Sequence, residues 1–234
     1  MLTRKYYLFL FMVFVNYSNT FSQKLEVFSD FKIGFLSHQS LKEFHNELTN
    51  DIPFDNIKTT DNFNSNYGFN FGIKFNKFNT SIFYSHRVSG AKSSYSDFSG
   101  YIRLTNELKG STIGVMYEKE LKRIGKGKLL TGFKALLTFS NLQINNENKI
   151  ANTINNDKLN FNSTDFGGGV ELSYNIPIAF FTLKTSIGFD VYINGKLNSK
   201  EIPNAHLINK NGDKVTTDWT GFNVGMGIII PILK

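Results

Sequence analysis

The chain contains no cysteine, so no disulfide can hold it together, and the small secreted scaffolds stapled by such bonds are excluded. Beyond its first residues it has no apolar run approaching the roughly 20 residues of a membrane-spanning helix. If it meets a membrane, it does so by another structure. Tryptophan is nearly absent, at one residue against 24 phenylalanines. Aromatic residues make up 15% of the chain, yet its mean hydropathy is only −0.22. Much aromatic surface in a chain of low hydropathy means that apolar and polar residues are interleaved.

Catalytic groupings are also missing. The four histidines, His38, His45, His86 and His206, are scattered. His38 and His45 share a polar stretch with Glu43, Glu47 and Asp51, but their spacing matches no zinc motif, and solvated loop residues are the expectation. Gly125-Lys126-Gly127-Lys128 lacks the strand and helix of a phosphate loop and reads as a basic turn. Gly167-Gly168-Gly169 reads as a place of close packing within a strand. Ser85 and His86 are adjacent and so face opposite sides of a strand. No nucleophile, base and acid come together, so the chain is not expected to be an enzyme and calls for no cofactor or metal.

The beginning of the sequence has the layout of a secretory signal peptide, expected over residues 1–22. Arg4 and Lys5 precede an apolar stretch from Tyr6 to Val15, and Thr20 and Ser22 suit cleavage before Gln23. The remaining domain, 23–234, is then about 210 residues, the size of a single β domain. The formal charge is +7; Arg4 and Lys5 supply two of these, leaving +5. Export turns that basic balance away from nucleic acid and towards anionic lipid headgroups.

Parity is the strongest signal. Phe63, Ser65, Tyr67, Phe69, Phe71, Ile73 and Phe75 occupy odd positions, while Asn64, Asn66, Gly68, Asn70, Gly72, Lys74 and Asn76 fill the even ones. A period of two puts these sets on opposite faces of a strand. Seven further segments repeat the pattern, around Phe31–Phe35, Ile82–Val88, Ile113–Tyr117, Leu129–Phe139, Phe166–Ile176, Phe181–Ile193 and Phe222–Ile230. Phe83 and His86 interrupt theirs. Short turns are expected at 76–79 and 175–179, with a slightly longer basic one at 122–128. Long polar loops are expected at about 37–62, 89–107, 145–160 and 195–216. In the first, Leu41, Phe44 and Leu48 follow helical spacing and predict a short amphipathic helix that caps one end.

Strict alternation of long and short connections, eight strands and a signal peptide resemble the small outer-membrane β-barrel family of Gram-negative bacteria, the OmpA/OmpX-like type. The resemblance covers essentially everything after Gln23. It implies an all-β fold, an eight-stranded antiparallel up-and-down transmembrane β-barrel, in the cell outer membrane with both termini periplasmic. It implies outer-membrane lipid as the neighbour, and a monomer acting structurally, in adhesion or by surface interaction through long extracellular loops. An accessory barrel of a secretion or assembly machine, with protein partners at the periplasmic turns, is an alternative; a narrow solute conduit is another.

With the apolar face towards lipid, Lys32, Lys74, Arg87, Glu118, Lys134, Glu171, Lys184 and Asp190 all point inward. Eight strands enclose a space that side chains fill, and isolated buried charges are costly. These eight are therefore expected to pair in an internal network, with inward glycines making room for them. The reverse assignment is a soluble lipocalin-like barrel with an apolar ligand cavity. Against it stand the bulk of the aromatic rows and the aromatics near turn ends, Tyr117, Tyr174, Phe180 and Phe181, which suit an interfacial girdle.

Overall fold

The computed structural model describes residues 25–35, 37–53, 56–150, 153–193 and 195–232. The expected signal peptide lies outside them. Ten strands form one antiparallel sheet: β1 (Leu25–Phe35), β2 (Lys58–Asn62), β3 (Ser65–Phe75), β4 (Thr80–Asp97), β5 (Gly100–Ile124), β6 (Gly127–Ile150), β7 (Thr153–Ile178), β8 (Phe181–Ile193), β9 (Asn198–Ser199) and β10 (Gly221–Pro231). One helix, α1 (Gln39–Asn50), follows β1. The order β4-β3-β1-β10-β8-β7-β6-β5 returns to β4, so the sheet closes into a ring. Two of the ten strands add no position to it. β2 pairs with β4 beyond the end of β3, and β9 pairs with β7 beyond the end of β8. The ring therefore has eight positions.

Its stagger follows from the pairing. Starting at Leu25, partners lead through Phe75, Thr80, Tyr117, Phe133, Val170, Phe189 and Phe222 back to β1 at Phe35, ten residues beyond the start. Closure with that offset tilts eight strands by about 40° from the axis. The row just traced faces outward and is largely aromatic or aliphatic. Phe69 and Phe71 are 65% and 60% exposed, so the apolar face is the outer one. The reverse orientation, with an apolar ligand cavity, is not adopted.

The inner face solves a packing problem. One row of facing residues reads Phe28, Gly72, Phe83, Gly114, Leu136, Gly167, Tyr192 across seven strands. Each large side chain lies beside a glycine, so rings cover the bare backbone of the next strand. A Cβ at Gly72 would stand 2.6 Å from Phe28 Cζ, and one at Gly167 2.7 Å from the Tyr192 ring. Phe83 breaks the outward apolar pattern because it belongs to this row, where it is buried.

The turns at one end are short, as expected: a 3-10 turn at Asn76–Phe78, Ala179-Phe180, and Gly125-Lys126, tighter than the sequence suggested. At the other end, two of the expected long loops are strand. β4 runs to Asp97 and β5 starts at Gly100, while β6 runs to Ile150 and β7 starts at Thr153. Residues 89–107 and 145–160 thus continue the sheet well past the ring as a four-stranded wing. Their polarity hid this, because the inner alternation of Ala91, Ser93, Leu104, Asn106, Leu108, Leu142 and Ile144 mixes apolar with polar residues. The other two stretches fold into the mouth. α1 fills 39–50, and residues 195–216 are tied by short bridges such as Lys196 to Thr216.

Phe63 also departs from expectation. It has φ 51°, donates its N–H to Gly90 O at 2.7 Å, and is fully buried. The pairing slips by two residues between Asn62↔Ala91 and Tyr67↔Val88. That bulge turns the ring of Phe63 inward, out of the parity of β3.

The Phe/Gly row predicts that Gly72→Val destabilises the protein by about 1–3 kcal/mol through overpacking against Phe28. Unfolding in urea in a detergent or lipid mimetic would measure it. Phe28→Ala in the same chain should recover part of the loss, because the two sites are coupled.

Candidate functional site

The interior holds the expected charges, and β1, β3, β4, β5, β6, β7 and β8 each contribute. Lys32, Lys74, Arg87, Glu118, Lys134, Glu171, Lys184 and Asp190 all stand on the inner face with little or no exposure. Glu171 is the hub. Lys32 Nζ lies 2.5 Å from its Oε2, Lys184 Nζ 2.8 Å from Oε1, and Lys134 Nζ 3.6 Å from Oε2. Lys134 also meets Asp190 Oδ1 at 2.5 Å, and Arg87 reaches the same carboxylate at 3.8 Å. Arg87 donates to Tyr192 Oη at 2.7 Å, and Asn223 Nδ2 donates to Asp190 Oδ2 at 3.2 Å. Lys74 and Glu118 form a separate pair at 2.6 Å.

Two acids escaped the sequence reading. Asp30 is buried and lies 3.7 Å from Lys184 Nζ. Asp165 is fully buried and accepts from Ser140, Ser163 and Thr217 hydroxyls and from Gly195 N–H at 2.8–3.0 Å. Both share the parity of an inward neighbour, Lys32 and Glu171 respectively, which would have found them. With them, the charges enclosed on the inner face among the described residues are five cations and five carboxylates, which balance formally.

Free space at the centre of the network is small, while a wider cavity of ≈ 290 Å³ opens at the short-turn end beside Lys74, Glu26 and Glu120. The void lined by Lys32, Arg87, Lys134 and Asp190 is ≈ 20 Å³, about the room of one water. Unpaired oxygens of Ser85, Ser186 and Asn223 face this interior.

The mouth is sealed by α1 and the 195–219 segment. Leu41 and Phe44 of α1 are buried, as the helical spacing anticipates. His38 and His45 are fully buried too, which corrects the expectation that both are solvated. The spacing test ignored them because a histidine reads as polar. Their burial is possible because each finds partners. His38 precedes α1 in the left-handed region at φ 65° and donates from Nδ1 to Thr217 O at 2.5 Å. Its ring meets Trp219 edge-on at 4.5 Å. His45 accepts from Asn106 Nδ2 at 3.0 Å and donates from Nε2 to Ser93 Oγ at 2.9 Å. Trp219 Nε1 donates to Ser140 Oγ at 2.9 Å, which links this plug to Asp165.

Burial drives both imidazoles towards the neutral form. The value for His38 falls to about 4, with Arg87 and Lys42 adding to the effect and the Thr217 hydrogen bond opposing it. His45 also falls to about 4, Asp61 opposing. Among the described residues no three metal-ligating side chains cluster. His86 faces outward near Ser111, while Ser85 is buried.

Two outcomes test this arrangement. Glu171→Ala leaves three lysines without their common counter-charge and should cost about 3–5 kcal/mol; Glu107→Ala, which removes an exposed pair with Lys109, should change stability by less than about 1 kcal/mol. Denaturant unfolding of both variants decides it. The histidines set a pH dependence. Their folded values lie below the unfolded 6.5, so their contribution is full above pH 6.5 and is lost as pH falls towards 4. Fluorescence of Trp219, the sole tryptophan, should report loosening of the mouth across that window, and His45→Gln should shrink the change.

No protein-family model matches the chain, and no curated protein matches it. Among solved structures, the crystal structure of Neisserial surface protein A (NspA) is similar to it, at 12% identity and a TM-score of 0.36, over 88% of this chain and 96% of that one.

Proposed function

We propose that this chain is an eight-stranded transmembrane β-barrel of a bacterial outer membrane, working by adhesion or surface interaction through the segments beyond its mouth. One observation carries the reading: a closed sheet whose outer wall is apolar at the level where its inner wall is ionic. In water that wall would be an exposed apolar surface far larger than the few hundred Å² that soluble monomers tolerate. In hydrocarbon it is satisfied, and closure leaves no unpaired backbone along the ring. Phe180, 75% exposed beside the Ala179 turn, and Tyr117, which pairs with Thr80 just past the Asn76–Phe78 turn, suit the interface with headgroups.

The two ends support an orientation. β1 begins and β10 finishes at the short-turn end, where Glu26 pairs with Pro231, which suits a periplasmic side there, with the wing and plugged mouth facing outward. The tightly filled interior favours a surface role over conduction. The wing tip is a stiff presentation device: Asp97 accepts from Ser99 N–H, Ser99 Oγ and Gly100 N–H at 2.7–3.1 Å, holding Phe98 fully exposed.

The protein should fractionate with outer membranes, and unboiled samples should migrate differently from boiled ones in SDS gels. Recovery in the soluble fraction with no heat-dependent shift would overturn the reading. Phe71→Arg, on the outer wall, should lower stability in lipid by about 2–4 kcal/mol. In planar bilayers the protein should give no discrete conductance steps.

A further inference from the structure

The wing has two edges, and the chain treats them differently. On the β4 side, β2 covers the edge from Ala91 to Ser94. On the β7 side, β9 covers Phe161 and Asn162, and Lys200 N–H donates to Asn160 O while Glu201 accepts from Asn160 N–H. There the cover stops. Among the described residues nothing pairs with Thr153–Leu159 on the side away from β6, and all seven of these residues are exposed.

The direction of this edge can be read from Asn160. Its N–H and C=O point away from β6, and a strand's backbone groups alternate sides, so those of Ile154, Asn156 and Lys158 point the same way. Three donors and three acceptors therefore stand in a row over about 14 Å. No proline or bulge interrupts them; of the usual protections of an edge, only charged side chains are present, at Asp157 and Lys158. Only another extended strand matches such a row.

The side chains specify which strand. Antiparallel pairing of Thr153–Leu159 with a second copy must join even residues to even ones, because only they face the gap. Centring on Asp157 or Lys158 would set like charges opposite each other. Centring on Asn156 sets Ile154 against Lys158, Asn155 against Asp157 and Thr153 against Leu159. The lysine stem then covers the exposed Ile154, Asn155 can donate to Asp157, and six backbone hydrogen bonds form.

We infer that the β7 edge, Thr153–Leu159, is a homotypic docking strand that pairs antiparallel with the same strand of a second copy, centred on Asn156. β7 runs from its tip towards the ring, so an antiparallel copy approaches from the opposite direction. Resting on the reading of the ring as an outer-membrane barrel, the pair joins molecules in two facing membranes, which makes the adhesion self-recognising. One such contact is small; many copies on two apposed surfaces supply avidity.

The absence of native cysteine makes the register testable. Asn156→Cys, Ile154→Cys and Lys158→Cys variants of the full chain are reconstituted into phospholipid vesicles and oxidised with diamide. Facing residues in a hydrogen-bonded pair have Cα atoms about 5.5 Å apart, within disulfide reach. Asn156→Cys should cross-link to itself, whereas Ile154→Cys and Lys158→Cys should cross-link to each other and not to themselves. Vesicles carrying the unaltered protein should cluster, and Asn156→Pro, which removes an edge donor without breaking a β6 bond, should reduce clustering at least ten-fold. Cross-linking that ignores position, self-linking at all three, no self-linking at Asn156, or clustering unaffected by Asn156→Pro would each overturn the pairing. A heat-dependent gel shift on the same samples reports membrane insertion separately. Without the shift the barrel reading fails, and cross-linking in detergent still decides the pairing.

Discussion

Closure of the sheet with a ten-residue offset governs the rest of this structure. An open sheet would leave a free ladder along its full length, whereas the ring satisfies every neighbour through the β1–β10 and β4–β5 pairings. The offset tilts the strands and fixes a narrow interior. A narrow interior cannot take a large side chain at every inward position. The strict alternation of Phe28, Phe83, Leu136 and Tyr192 with Gly72, Gly114 and Gly167 follows from that geometry, and it explains why glycine recurs on the inner parity.

The same narrowness decides the electrostatics. The five cations are met directly by four carboxylates, while Asp165 is held by hydroxyls and a backbone N–H instead. Glu171 meets three lysines, and its position on β7 lets it reach β1, β6 and β8 at once. Desolvation of each ion is large, so the network contributes through the cost of breaking it more than through a net gain over apolar packing. It also ties strands distant in sequence, since Lys32 and Glu171 are 139 residues apart. Above it, the plug of α1, Phe63 and Trp219 closes the mouth with a small apolar core whose two histidines remain neutral. The outward segments are thereby held on a rigid base, which suits a protein that presents edges and tips to its surroundings.

The period-two pattern was legible because it arises from one local fact, that successive side chains in a strand face opposite sides. It located all eight ring positions, the three short turns, the apolar outer wall and eight inward charges, and the helical spacing of Leu41, Phe44 and Leu48 located α1. It failed where polarity and burial part company. His38 and His45 read as solvated, and Asp30 and Asp165 were passed over at the margins of their segments. The wing strands read as loops because their inner face is half polar.

What the sequence alone determined is therefore the alternation itself: which residues share a face, how many positions the ring has, and that the charged face must find partners. Those follow from backbone geometry and the cost of burying charge. Only the tertiary structure decided which charge meets which, that Phe63 turns inward at a bulge, that the mouth is plugged, and that the β7 edge of the wing is covered at 160–162 but not at 153–159. Each of these depends on the pairing offset between strands far apart in the chain, and no local pattern encodes that offset.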